Sequence, residues 1–231
     1  MELRILSGGA AKGVVTALQQ GFAADTGAVI AGTFGAVGAM KDKLLAGEPC
    51  DVMILTAALI EELTRSGQLL PGSAAPLGRV RTGIAVRTGE MLPPIADRDS
   101  LRDSLMQASG IYFPDPLLAT AGIHFVNVLK QLGIHDELQS RLRPFPNGAT
   151  AMGALARSTE AGLIGCTQIT EIKYTEGVTL VGPLPKEFEL ATVYSAAVCS
   201  RSAQPETAAA LVKLLSGSRS AALRAAGGFE F

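Results

Sequence analysis

The chain has 231 residues, 48% hydrophobic and 18% charged, which is enough apolar material for one large or two small domains and excludes a disordered chain. Its 20 basic residues against 21 acidic ones leave a formal net charge of −1, which gives no electrostatic footprint for nucleic acid or an anionic membrane surface. With no Trp, 3 Tyr and 8 Phe, base-stacking platforms and aromatic sugar slots are hard to assemble.

The chain opens into Leu3-Arg4-Ile5-Leu6 without a basic n-region, apolar h-region or small-residue cleavage site, so the expectation is cytoplasmic as written, and periplasmic if a leader preceded Met1. No apolar run reaches the roughly 18 residues of a membrane span. Leu3 to Leu6 predicts a strand, followed by a helix with Val14, Val15, Leu18 and Phe22 on one face. Ala28 to Phe34 is a second strand, and a helix with Val37, Met40, Leu44 and Leu45 inward stops at Gly47. Asp51 to Leu55 is a third strand, and its following helix ends near Gly67. Repeated strand, helix, strand units imply a mainly parallel sheet.

Pro71-Gly72-Ser73-Ala74-Ala75-Pro76 continues neither element and leads toward a hinge. A second α/β set follows: strand Arg79 to Val86, a helix around Leu101 to Ala108, strand Ile111 to Phe113 and a helix with Ile123, Val126 and Leu129, closed by Gly133. Then come a helix from Ala149 to Thr159 and the strands Leu163 to Thr167, Val178 to Val181 and Glu189 to Val198. Two final helices run near Glu206 to Leu215 and Ser218 to Ala226. Cys50, Cys166 and Cys199 are odd in number and widely spaced, and His124 and His135 lie apart, so no metal or other cofactor is expected and the cysteines read as small buried hydrophobes.

In open parallel sheets ligands bind beyond the carboxyl ends of strands, where helix N-termini present unpaired N–H groups. Four such junctions, Ser7 to Lys12, Gly35 to Gly38, Asp115 to Gly122 and Asn147 to Ala151, are rich in Gly, Ala or Thr. Small side chains allow close backbone approach, and the helix dipole favours a compact anion; the competing explanation is tight helix-on-strand packing alone. Gly8-Gly9-Ala10-Ala11-Lys12-Gly13 fits neither the P-loop nor the dinucleotide fingerprint.

Five stretches, in order, resemble the solute-binding proteins of ABC transporters, in their molybdate-binding branch. They are Ile5 to Ala10; Thr33-Phe34-Gly35 leading to Ala46 through Val52; Asp115-Pro116 with Ala121 to His124; Leu163-Ile164-Gly165; and Gly217 to Ala222 with Gly227-Gly228-Phe229. The resemblance implies a two-lobed α/β fold of the type II periplasmic-binding-protein kind. Lobe 1 would comprise residues 1–78 plus 190–231 and lobe 2 residues 79–189, with a small anion held between them. It implies an ABC permease as partner if the chain is exported. The ligand-binding positions it implies are Gly8, Gly9, Ala10, Lys12, Val37, Gly38, Arg79, Thr120, Ala121, Thr150 and Gln168.

Family members that hold molybdate use Ser hydroxyls in the first two loops and a Tyr hydroxyl after the fourth. Here Ala10 stands at the first position, Gly35-Ala36-Val37-Gly38 carries no hydroxyl, and Gln168 replaces the Tyr. Lys12 and Arg79 supply cations instead, which suits a di- or tricarboxylate better than a metal oxyanion; the alternatives are a solvated lysine and an arginine paired with an acidic neighbour. The branch is also similar to aconitate isomerase, which implies a second reading: proton transfer on a tricarboxylate without cofactor, with Lys12, His124 and Asp115 as catalytic candidates. Against that, His124 reads more readily as a core or surface histidine on an apolar helix, and Asp115 more often as turn and cap chemistry. Asp51 is expected to be structural.

Overall fold

A computed structural model describes residues 1–231. The chain forms two compact units, Met1–Val80 with Thr192–Phe231, and Arg81–Ala191. No helix is long and apolar enough to cross a membrane.

In the first unit, β1 (Glu2–Gly8) lies between β2 (Val29–Gly35) and β3 (Val52–Thr56), all parallel, and β9 (Ala191–Val198) runs antiparallel to β3. The run Val52 to Leu55 is fully buried, as expected of a strand covered on both faces, where an uninterrupted apolar run replaces alternation. Helices α1 (Lys12–Thr26), α2 (Val37–Leu45), α3 (Ala57–Arg65), α8 (Pro205–Ser216) and α9 (Ala221–Ala226) complete the unit. Val14, Val15 and Phe22 of α1 enter the core, while Leu18 packs at its margin. Helix α1 stops at Gly27, whose φ of 72° is the left-handed conformation that releases the chain toward β2.

The second unit places β5 (Gly110–Pro114) between β6 (Leu142–Phe145) and β7 (Leu163–Gln168), all parallel. β4 (Ala75–Arg87), whose first residues belong to the other unit, pairs antiparallel with β7 and with β8 (Val178–Pro183). Alternation sorts the side chains: Ile111, Phe113, Ile164 and Cys166 face one apolar cluster, and Tyr112 and Leu163 the other. The helices are α4 (Arg98–Gln107), α5 (Thr120–Gln131), α6 (Gly148–Arg157) and α7 (Ile169–Tyr174). Helix α4 begins ahead of the expected Leu101, because Asp97 and Ser100 cap it reciprocally. Helix α6 likewise begins at Gly148, capped by Asn147. Both units fit the expectation of α/β architecture, with parallel strands at their centres and antiparallel strands added.

Asp51, 5% exposed, precedes β3 and accepts hydrogen bonds from Arg4 N (2.8 Å), Ser202 Oγ (2.7 Å) and Ala203 N (3.2 Å). Its own N–H donates to Arg4 O at 2.8 Å, and its carbonyl accepts from Cys199 N at 2.9 Å. One buried residue therefore fastens β1, the entry to β3 and the chain leaving β9. Asp51→Ala strands these donors, at a cost of about 3 kcal/mol for bonds to a charged acceptor. Thermal denaturation should show Tm falling by roughly 6–12 °C; a fall within 2 °C or so would refute this fastening role.

Candidate functional site

Because β1, β2 and β3 are parallel neighbours, their carboxyl ends bring the first two junctions to one edge of the first unit's sheet. β1 ends at Gly8, a single 3-10 turn spans Gly9–Ala11, and α1 starts at Lys12. A Cβ on Gly8 would lie 2.9 Å from Val37 Cγ1 and 3.1 Å from the Tyr194 ring, so the turn is packed directly against the start of α2. Ala10 and Val37 are buried, while Gly9, Lys12 and Gly38 are half-buried. The Ser7 hydroxyl is fully buried and donates to Gly8 O at 2.9 Å. Neither α1 nor α2 has a side-chain cap, the positions before them being Ala11 and Ala36. Thr56, before α3, also makes no cap bond; this hydroxyl at the same edge was missed in the sequence, because its junction was not among the four singled out. The backbone of Arg79 is held by hydrogen bonds of 2.8 Å in both directions with Glu230.

In the second unit, the parallel order β6, β5, β7 brings the ends of those strands to one edge. The start of α5 follows β5 and is uncapped by any side chain, with Ala119 before Thr120. Ala121 is buried and Thr120 half-buried. Asp115 Oδ1 accepts from Leu117 N (2.7 Å) and Leu118 N (2.9 Å), which is turn chemistry. His124 Nε2 lies 2.7 Å from Phe188 O. Since a carbonyl only accepts, Nε2 carries the proton and Nδ1 is the nitrogen left for proton exchange. Thr150 has its N–H and its hydroxyl both bonded to Asn147 Oδ1, each at 2.9 Å. Gln168 ends β7, 2% exposed, with neither carboxamide atom hydrogen-bonded.

The third and fourth junctions thus differ. Helix α6 is served internally: besides its Asn147 cap, the buried Glu171 carboxylate and the Thr167 hydroxyl, bonded to each other at 2.6 Å, press on its first residue. A Cβ on Gly148 would overlap both. Helix α5 has no such provision. Glu171, Thr82 and Thr170 are buried polar residues that the sequence reading passed over, and their only signal was a polar side chain inside an apolar strand or its direct continuation.

A cavity of about 420 Å³ in the first unit lies at the opposite, amino ends of its strands, lined by Glu2, Arg4, Glu48, Asp51, Gln68 and Arg201 among others. Some of its charges are paired among themselves or with a neighbour, Glu2 with Arg4 at 2.9 Å and Glu48 with Lys43 at 2.7 Å. No three His, Cys, Asp or Glu side chains converge as a metal site.

The overlap at Gly148 makes a clear prediction. Gly148→Ala must push Glu171 and Thr167 aside, and should destabilise by about 1–3 kcal/mol. Chemical denaturation that returns the wild-type midpoint would show that the packing there is loose.

The description "bacterial extracellular solute-binding protein" applies to a family model that matches residues 3–230. An aconitate isomerase of a Pseudomonas species is 30% identical over 178 residues, covering 77% of this chain and 66% of the relative, so the match spans just under two thirds of that protein. Among solved structures, the periplasmic molybdate-binding protein of Azotobacter vinelandii superposes with a TM-score of 0.81 at 20% identity, covering 99% of both chains. The sulfate-binding protein SubI of Mycobacterium tuberculosis gives 0.75 at 16% identity, over 99% of this chain and 86% of that one. These likenesses establish the fold, that of the type II periplasmic binding proteins, and with the family match extending over nearly every residue, the chain belongs to the bacterial extracellular solute-binding proteins.

Proposed function

We propose that this protein binds a small anion, by preference a di- or tricarboxylate, and serves as the solute-binding partner of an ABC permease outside the cytoplasm. The observation that carries this reading is the set of helix starts at α1, α2 and α5 without a side-chain cap, each directly preceded by an alanine in the junction that follows a strand. Such ends present orphan N–H groups and the positive end of the helix dipole. Support also comes from the structural neighbours, one of which binds molybdate and another sulfate.

The preference for carboxylate follows from missing hydroxyls. Ala10 and the Gly35–Gly38 stretch carry none, and the Ser7 hydroxyl is engaged with Gly8 O. Each unmet lone pair of a desolvated tetrahedral oxyanion costs about 1–3 kcal/mol, whereas a carboxylate suits the Lys12 ammonium and the Arg79 guanidinium, which has no acidic partner within ion-pair distance. The second reading, a cofactor-independent isomerase of a tricarboxylate, is favoured by the relative named an aconitate isomerase. His124 Nδ1 would then be the general base, and Lys12 and Asp115 the other candidates for proton transfer.

Thermal-shift measurements against oxyanions and carboxylates test the first reading. A ligand at 100 times its Kd stabilises by about 2.7 kcal/mol, which raises Tm by roughly 5–11 °C. The expected hits are di- and tricarboxylates, weakened by Lys12→Met and Arg79→Met; molybdate or tungstate as sole hit overturns the carboxylate preference. Following cis- and trans-aconitate by NMR separates the two readings, since tight binding without interconversion removes the isomerase.

A further inference from the structure

Four side-chain atoms in the second unit are buried and hydrogen-bonded to nothing: Thr82 Oγ1, both Gln168 Nε2 and Gln168 Oε1, and Thr170 Oγ1. Their residues are 1%, 2% and 5% exposed. Buried polar side chains nearly always have a partner, so a cluster without any calls for a physical reason.

The cluster is built by register. Thr82 of β4 and Gln168 of β7 are direct partners in the antiparallel ladder, so their side chains leave the same face of the sheet, with Cβ atoms about 5 Å apart. Thr170 follows two residues later, inside α7. The backbone of Thr82 is fully satisfied, its N–H donating to Leu190 O at 3.2 Å and its carbonyl accepting from Leu184 N at 3.1 Å. Only the side chains lack partners. They also stand at the edge of the sheet where β7 ends and α5 and α6 begin.

From these atoms we infer that the ligand is a hydroxycarboxylate, an anion that carries an O–H beside a carboxylate, and that Gln168 and Thr82 read this pair of groups. The inference rests on the anion-binding reading above and narrows it. A carboxamide always has one donor end and one acceptor end. Its N–H₂ matches a carboxylate oxygen, but its carbonyl oxygen repels one. A ligand whose oxygens only accept leaves Gln168 Oε1 buried and unmet, whereas a hydroxyl on the adjacent carbon donates to it. Thr82 and Thr170 hydroxyls adapt to either role and complete the set. Burial sharpens the choice: a site that bonds a substrate hydroxyl rejects analogues lacking it, because its own buried polar group is then left unpaired.

Matched pairs test the inference on the full-length protein by calorimetry: citrate against tricarballylate, and malate against succinate, each pair differing by one hydroxyl. The expected result is that the hydroxylated member binds about ten-fold or more tighter. Thr82→Val and Gln168→Leu should each erase most of that preference. They should also raise Tm in the absence of ligand, because an apolar isostere removes an unmet buried polar group. A variant that loses the preference merely by unfolding would lower Tm instead, so the two readouts together separate recognition from packing. Equal affinity within both pairs, or variants that weaken both members equally, overturns the hydroxycarboxylate assignment while leaving anion binding intact. Binding of hydrogen phosphate over sulfate without any hydroxycarboxylate also overturns it, in favour of a protonated oxyanion. If no anion of any series binds, the anion reading itself falls, and this inference with it.

Discussion

At Gly122 a Cβ would overlap the carbonyl oxygens of both Pro114 and Asp115, so α5 can turn back onto the end of β5 only where that residue has no side chain. Gly8 meets the same constraint against Val37 and Tyr194, and Gly148 meets it against Thr167 and Glu171. Close backbone approach at the carboxyl ends of the strands is therefore shared by both units. It has a double effect. It packs each helix start hard on its sheet, and it keeps side chains away from the first N–H groups of α1, α2 and α5, whose preceding residues are alanines. The small residues that explain the packing thus also leave those N–H groups open, so that under the proposed function packing and anion binding share one geometry.

Buried charges and buried neutral polar groups are handled differently in this chain. At the amino end of the first unit, Asp51 is saturated by Arg4, Ser202 and Ala203. Elsewhere in that unit the buried Arg224 guanidinium donates to the carbonyls of Leu77, Ser216 and Gly217 and to Ser220 Oγ. Desolvation lowers the pKa of Arg224 from its ordinary value, and these acceptors are what compensate the buried charge. Both of these buried charges are matched from within the chain. At the carboxyl end of the second unit, Thr82, Gln168 and Thr170 are not. Leaving several buried polar atoms unmet costs stability, and that cost is tolerated in proteins where function needs it.

Much of this was legible in the sequence. The βα alternation, the small-residue junctions and the glycine stops at Gly47, Gly67 and Gly133 follow from periodicity and backbone chemistry, and the structure has them. Two elements escaped. β6 is a four-residue strand containing Pro144 at the edge of its sheet, where a missing N–H is tolerated but no periodicity can develop. Helix α7 has six residues and follows β7 with no turn between, so no Gly or Pro announces it. The candidate site was legible as loops and not as partners. Nothing in the order of residues says that Thr82 faces Gln168, because strand register across 86 positions is a tertiary property. The same holds for His124, whose bond to Phe188 O crosses 64 positions.

Binding and isomerisation make different demands on this scaffold. A binding protein gains from every interaction with its ground-state ligand, while an enzyme gains only from those that strengthen in the transition state. Proton transfer on a tricarboxylate further requires a base held within reach of a carbon-bound hydrogen, with its receiving atom free. His124 meets part of that demand: the bond from Nε2 to Phe188 O fixes the ring and the tautomer and leaves Nδ1 as the basic nitrogen. Asp115 meets less of it, since Oδ1 already accepts two backbone N–H groups of its own turn. The groups with most unspent capacity, the carboxamide of Gln168 and the hydroxyls of Thr82 and Thr170, are neither acids nor bases near neutral pH. Such groups are suited to orienting a ligand and not to transferring its protons, and this distribution of chemistry weighs toward the proposed binding role.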